Sequence, residues 1–310
     1  MTPSRFELLC ALERCTSGLS ISQAAKQSRL PFNEAQRALK DMEADALIAR
    51  SGDLWFISPK GIEALSPYRV KRAVILAAGL GSRLRPLTYH LPKPMISVRG
   101  VRIIDTLLDA LTAAQIPEIH LIRGHFGEAF DLLLKKYPNL ILTDNPLYAS
   151  SNNLSSALCA KQWLQNAYIC DADLFLLNPH LVRKYELRSN YLGCWCEQTD
   201  DWCFHMRGEF IEGASIGGSQ CYRMYGLSYW NESDGRRLAE DIAQIAASPS
   251  GRQHFWDEVP LRLCQKHYRI ALRTCDPQDI LEIDTLKELI ALDPSYETRL
   301  SGELFPVWYR

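Results

Sequence analysis

Between Ala73 and Pro94 the chain reads AVILAAGLGSRLRPLTYHLPKP. Gly79, Gly81 and Ser82 are small enough for the backbone to turn tightly and to approach a ligand with no side chain between them. Arg83, Arg85 and Lys93 bring positive charge to the same stretch. Consecutive backbone N–H groups form a nest for an anion and nearby cations offset its charge, so this stretch has the makings of a phosphate site. A second set of chemical groups lies at 168–175, where Tyr168-Ile169-Cys170 runs into Asp171 and Asp173. Hard carboxylate oxygens at a strand end suit Mg²⁺, which bridges to phosphate oxygens. Ile280 to Thr285 repeats the pattern and brings up a further carboxylate, Asp284.

Other polar and aromatic residues could supply recognition. Asn152, Asn153, Ser155 and Ser156 crowd before a predicted helix and offer partners to a base or ribose, although an Asn there also serves as a helix cap. Trp195, Trp202, Phe204, Tyr229, Trp230 and Trp256 offer aromatic faces, with Asp257 and Glu258 beside the last. Such faces suit a quaternary ammonium, which cannot donate a hydrogen bond. Tryptophans on strands also commonly pack in a core. A primary ammonium would instead favour carboxylates.

Two well-known phosphate loops are excluded. No Gly-Lys-Ser or Gly-Lys-Thr occurs, and the position where a dinucleotide fingerprint needs its third glycine is Leu84. The pattern L-A-A-G-x-G-x-R-L-x-P-L-T followed by P-K-P resembles the signature of the nucleotidyltransferase superfamily, which couples an NTP to a phosphorylated small molecule. The resemblance spans about 72–295. Within it the chain is similar to the bacterial CTP:phosphocholine cytidylyltransferases, through Asn152-Asn153, Asp171-Ala172-Asp173, Gly226 to Trp230, Phe255-Trp256-Asp257 and Leu281 to Asp284. It implies CTP as donor, a phosphorylated acceptor and Mg²⁺ as cofactor, held by Asp173 and Asp284. It implies further that Arg83, Lys93 and Asp173 are catalytic, and that Leu76, Ala77, Ala78, Gly79, Gly81, Ser82, Asn152 and Ser155 surround the nucleotide. Trp202, Tyr229, Trp230, Trp256 and Asp257 would then hold the acceptor, two of the four aromatics forming cage walls. Phosphocholine is the expected acceptor. The alternatives are 2-aminoethylphosphonate, phosphoethanolamine or a sugar 1-phosphate, and, from another class, a ligand-sensing regulator with a nucleotidyltransferase-like domain.

These residues need an α/β scaffold. Ala73–Leu76, Ile119–Ile122 and Leu140–Thr143 read as buried strands, separated by helical patterns at Ile103–Ala114 and Phe130–Tyr137. That alternation predicts a Rossmann-like, mixed but mostly parallel sheet with ligands at the carboxyl ends of its strands. Residues 69–295 would form this domain. Residues 1–68 read as three helices and a hairpin around Ser51-Gly52-Asp53, resembling a small winged helix-turn-helix module. With eight Lys/Arg and eight Asp/Glu in that stretch, docking, dimerising or sensing is expected ahead of DNA binding. The tail, 296–310, ends Phe305-Pro306-Val307-Trp308-Tyr309 and is expected to dock on that module or on a second subunit, as in a homodimer.

Composition narrows the class. A net charge of −1 gives no global case for nucleic acid or membrane binding, and no apolar run approaches a spanning length. No signal-peptide pattern opens the chain, so a cytoplasmic location is expected. Ten cysteines occur without a C-x-x-C pair. Cys194, Cys196, Cys203 and His205 could gather a metal, but reduced thiols on strands are the expected reading.

Overall fold

The computed structural model describes residues 1–300. The chain divides into two units: Met1–Arg69 with Tyr185–Leu187, and Val70–Lys184 with the described residues from Arg188 onward. The smaller unit thus takes in three residues that lie far along the sequence.

In the smaller unit, Thr2 caps α1 (Pro3–Arg14), and a reciprocal Ser20–Gln23 capping box starts α2 (Ile21–Ser28). Helix α3 (Phe32–Ala44) leads to an antiparallel pair, β1 (Ile48–Ser51) and β2 (Leu54–Ile57), and then to α4 (Pro59–Leu65). Gly52 makes the hairpin turn at φ 60°. Phe6, Leu9, Leu12, Leu39, Met42 and Trp55 fill one core. The exposed side of α3 mixes Arg37 and Lys40 with Glu34, Asp41 and Glu43.

The larger unit is built around β3 (Arg72–Ala77), buried on both faces. Ala73, Ile75 and Ala77 point to one apolar cluster, Val74 and Leu76 to another. This is the period-two alternation of a central strand. A small hairpin, β4 (Ser97–Val98) and β5 (Val101–Arg102), precedes α5 (Ile103–Ala113), which covers the first face with Ile104, Leu107, Leu108 and Leu111. Strands β6 (Glu118–Arg123) and β7 (Leu140–Asp144) continue the sheet in parallel, as the sequence predicts. The segment predicted as an α-helix at 130–137 is instead a tighter 3₁₀ helix, Gly127–Lys135. Its buried residues Gly127, Phe130 and Leu133 recur every three positions, which a three-residue turn stacks on one side.

Helix α6 (Leu154–Cys159) covers the other face and is followed by a 3₁₀ turn, Lys161–Trp163. Then β8 (Ala167–Asp171) pairs in parallel with β3, and β9 (Leu174–Leu176) leaves the sheet. A long hairpin follows, β10 (Asn190–Arg207) and β11 (Phe210–Trp230), turning at Gly208 and pairing through β11 antiparallel to β8. Helix α7 (Glu232–Ala246) packs Leu238 and Ile242 beside α6. Strand β12 (Ile270–Cys275) closes the order β10-β12-β11-β8-β3-β6-β7. Finally β13 (Ile280–Glu282) pairs antiparallel with β9, and α8 (Leu286–Leu292) and α9 (Ser295–Leu300) follow. Parallel strands flanked by antiparallel ones on one side make the mixed α/β sheet expected from the sequence. Tyr296, the first residue of the expected tail, is buried against this unit and donates to the Ser97 carbonyl at 2.7 Å. The aromatic run Phe305–Tyr309 lies outside the described residues.

Candidate active site

A cleft of about 740 Å³ opens at the carboxyl ends of β3 and β8. Its rim includes every residue predicted to surround a nucleotide: Leu76, Ala77, Ala78, Gly79, Gly81, Ser82, Asn152 and Ser155. Gly81 sits at φ 60°, and a Cβ there would lie 3.0 Å from both Lys93 and Thr88 side chains. Only glycine lets the loop fold this closely over Lys93. Thr88 fastens the turn by donating to the Gly81 carbonyl at 2.9 Å. On the opposite side, the buried Asn145 donates to Ser155 Oγ at 2.8 Å and Ser156 Oγ at 3.0 Å. Asn153 occupies the N-cap position of α6 without a side-chain capping bond; its Oδ1 instead accepts the Trp256 backbone N–H at 2.9 Å.

Lys93 is buried and bridges two carboxylates. Its Nζ donates to Asp173 Oδ2 at 2.7 Å and to Asp284 Oδ1 at 2.8 Å. Arg83, well exposed, reaches the same Asp284 oxygen at 2.8 Å. Two hundred residues of sequence therefore separate groups that form one ionic cluster. Burial by itself would lower the Lys93 pKa, but Asp173 and Asp284 outweigh it and hold it above its ordinary value. For Asp284, burial would raise the carboxyl, and Lys93 with Arg83 reverse this and hold it low.

The pairing of β9 with β13 explains the convergence. It sets Leu174 opposite Glu282, so Asp173 comes up beside Glu282 and Asp284. Just past β13, the Thr285–Glu288 capping box of α8 also binds the Asp284 backbone N–H through Glu288 at 2.9 Å. Oxygens of Asp173, Glu282 and Asp284 lie within 4.8 Å of one another. Glu282 was not singled out from the sequence, because its place on the strand gave no sign that it faces the cleft. Burial, then its neighbours Asp173 and Asp284, push the Glu282 carboxyl up to about 8, against the pull of Arg223 and Lys93. Asp173 Oδ1 is buried and has no hydrogen-bond partner. An all-oxygen set with an unsatisfied carboxylate oxygen fits a hard divalent cation such as Mg²⁺.

Asp171 stands apart in the cleft wall, its pKa raised well above the ordinary range by burial and by Asp257. Gly226 makes room for it: a Cβ at 226 would fall 1.9 Å from Asp171 Oδ2.

The aromatic predictions need correcting. Trp202 lines the cleft, joined by Phe255 and Tyr148. Tyr229, Trp230 and Trp256 do not; each is 1% exposed or less. Tyr229 packs edge-on to Tyr168, while Trp230 is edge-on to Tyr191, Trp256 and Tyr268. Large rings at the junction of β11 with α7 fill the apolar interior and have no free face left for a ligand. Asp257, next to Trp256, is buried yet lines the cleft. Tyr191 donates to Asp257 at 2.6 Å. Burial pushes this carboxyl up to about 7, the Tyr191 bond opposing it in part. Asp200 and Asp201 on β10 add further carboxylates to the cleft lining, Asp201 held by Arg223 at 2.8 Å.

The other suspected metal group does not assemble. Cys194 and Cys203 are buried, His205 bonds Ser215 at 2.9 Å, and Cys196 lies 3.9 Å from Cys221. All ten cysteines are free thiols.

A glycine loop and a Lys/Arg/carboxylate cluster at the strand ends of an α/β sheet define an enzyme that handles nucleotide phosphates. The family described as nucleotidyl transferase matches residues 72–177. The chain is 35% identical to a 2-aminoethylphosphonate cytidylyltransferase of Lancefieldella rimae over 232 residues, 72% of this chain and 92% of that protein. It is 30% identical to a choline-phosphate cytidylyltransferase of Streptococcus pneumoniae, over 72% of this chain and 96% of that protein. A solved CTP:phosphocholine cytidylyltransferase from Streptococcus pneumoniae superposes with a TM-score of 0.67 at 29% identity, covering 74% of this chain and 99% of that one. The chain belongs to the nucleotidyltransferase family, among relatives named cytidylyltransferases. Among the described residues no helix is long and apolar enough to cross a membrane.

Proposed function

We propose that the protein transfers CMP from CTP to a small phosphonate or phosphate that carries a primary ammonium, 2-aminoethylphosphonate in the first place. The observation that carries this reading is the acidic lining of the cleft, which holds Asp171, Asp200 and Asp257, with Asp201 paired to Arg223 at 2.8 Å, beside the aromatic residues Trp202, Phe255 and Tyr148. A primary ammonium gains charge-assisted hydrogen bonds from carboxylates, whereas a quaternary one needs aromatic faces. The identity to the Lancefieldella relative supports the same acceptor. Phosphocholine is the second reading, favoured by Trp202 and Phe255 on the wall.

In this reading an acceptor oxygen forms a bond to the α-phosphorus of CTP while the bond to the leaving pyrophosphate breaks in line. The nucleophile is a phosphate or phosphonate oxygen already ionised near neutral pH, so no general base is required. The loop amides of Gly79–Ser82 and Arg83 hold the outer phosphates. Lys93 places fixed positive charge where the α-phosphate and acceptor meet. Asp173 and Asp284, with Glu282 beside them, would hold Mg²⁺, which offsets phosphate charge when bound. Asn152 and Ser155 flank the base and ribose.

The smaller unit fits a docking or sensing module, because the mixed charge of α3 offers no basic face to DNA. A gel shift at low salt with the native promoter region checks this, and no salt-sensitive shift is expected.

Pyrophosphate release tests the reaction, with Mg²⁺ and the four NTPs crossed against 2-aminoethylphosphonate, phosphoethanolamine, phosphocholine and glucose 1-phosphate. Release with CTP and an amino acceptor is expected. Release with phosphocholine alone would move the proposal to its second reading. Silence across the grid would reject both.

A further inference from the structure

Away from the cleft, three side chains of metal-binding type converge on one point. Asp241 comes from the buried face of α7, and Cys264 and His267 from the turn before β12. One ligand atom from each lies within 4.8 Å of the other two. His267 Nδ1 is 2.8 Å from Asp241 Oδ2, and Tyr268 donates to the same oxygen at 2.5 Å. Burial, with Asp241 nearby, raises the Cys264 thiol above its ordinary pKa, so in this arrangement it carries its proton. The backbone is shaped to make this meeting possible. A wide π-type turn, Val259–Leu263, ends in a bond from Cys264 N–H to the Val259 carbonyl at 2.8 Å, five residues back. That extra residue in the turn swings Cys264 toward α7, and such turns recur at functional positions.

We propose that Cys264, His267 and Asp241 form a second cation site, for a zinc-class ion and distinct from the carboxylate cluster of the cleft. One thiolate, one imidazole and one carboxylate match the tetrahedral ligand set of Zn²⁺ or Co²⁺ with a water in the fourth place; Mg²⁺ prefers oxygens alone. The ion takes Cys264 as thiolate, so binding displaces the thiol proton to solvent. The ion ties α7 to the segment that follows Phe255 and Asp257, and so braces the acceptor side of the cleft. The site stands whichever acceptor the enzyme uses.

The test is Co²⁺ titration of the full chain after chelator treatment, followed by absorbance, with Zn²⁺ as competitor. One equivalent of Co²⁺ should give a thiolate charge-transfer band in the near ultraviolet that Zn²⁺ abolishes. Cys264→Ser should lose the band and His267→Ala should weaken binding by at least about tenfold. Asp173→Asn and Cys221→Ser should keep it, which separates this site from the cleft and from the thiols of β10 and β11. Zn²⁺ should raise the melting temperature of the parent protein and leave that of Cys264→Ser unmoved. No band at saturating Co²⁺, a band that survives Cys264→Ser, or one lost in Cys221→Ser would each overturn the proposal.

Discussion

Asp257→Asn removes a charge from the acceptor wall while nearly keeping its shape, and two opposite effects follow. The carboxyl is 5% exposed, and burial lifts it to about 7. Against an ordinary aspartate near ~3.9, that difference corresponds to roughly 4 kcal/mol between its charged and neutral forms. The folded protein keeps the proton up to about pH 7, whereas the unfolded chain releases it near pH 4. Between those values the folded state binds more protons, so stability falls as pH rises through the window and levels off above it. Asn carries no charge to desolvate. The variant should therefore be more stable than the parent at pH 8, by up to about 4 kcal/mol, and no more stable at pH 4. Binding should move the other way. A charge-assisted hydrogen bond in a dry site contributes about 1.5–3 kcal/mol, so the acceptor KM should rise roughly 10- to 150-fold. The ammonium is remote from the reacting phosphorus, so kcat and the KM for CTP should change little. Below about pH 7 the parent's acceptor KM should climb more steeply than the variant's, by up to about tenfold per pH unit. Steady-state pyrophosphate release from pH 5.5 to 8.5, with urea unfolding at pH 4 and 8, measures all of this. An unchanged acceptor KM, or a fall in kcat alone, would refute the role given to Asp257.

The remaining expectations concern the cluster and the packing. Asp173→Asn should lower turnover by at least about a hundredfold with unchanged circular dichroism, and near-normal activity would reject its place in the metal site. Trp230→Ala should cost about 3–5 kcal/mol in urea unfolding, since it empties a fully buried ring site. Trp202→Ala should stay within about 1 kcal/mol of the parent and instead change the acceptor KM; a destabilised variant with unchanged acceptor KM would remove Trp202 from the acceptor site. Gly226→Ala should destabilise by about 1–3 kcal/mol, because its methyl meets Asp171; a neutral result by the same unfolding assay would show that Asp171 moves freely.

The glycine loop, its flanking cations and the strand-end aspartates were legible in the sequence because each is a local pattern. A tight turn needs small residues in consecutive positions, and a buried strand needs an unbroken apolar run, so Ala73 to Lys93 and Tyr168 to Asp173 carry their geometry within a few residues. The parallel strands β3, β6 and β7 were readable for the same reason. The 3₁₀ segment at 127–135 was not, because its three-residue burial period differs from a helical one only once the facing core is known. The direction in which a strand residue points was likewise hidden. Tyr229, Trp230 and Trp256 look like ligand walls in one dimension, and only the packing of β11 against β8 and α7 turns them inward. Glu282 needed the β9–β13 pairing, and the meeting of Asp241 with Cys264 and His267 needed a helix laid against a turn more than twenty residues away. The sequence by itself determined the local chemistry, since bond geometry and apolar periodicity act over a few residues. The tertiary structure decided which side chains share a site, since burial and Coulomb interactions depend on distance through space, and the chain order does not encode that distance.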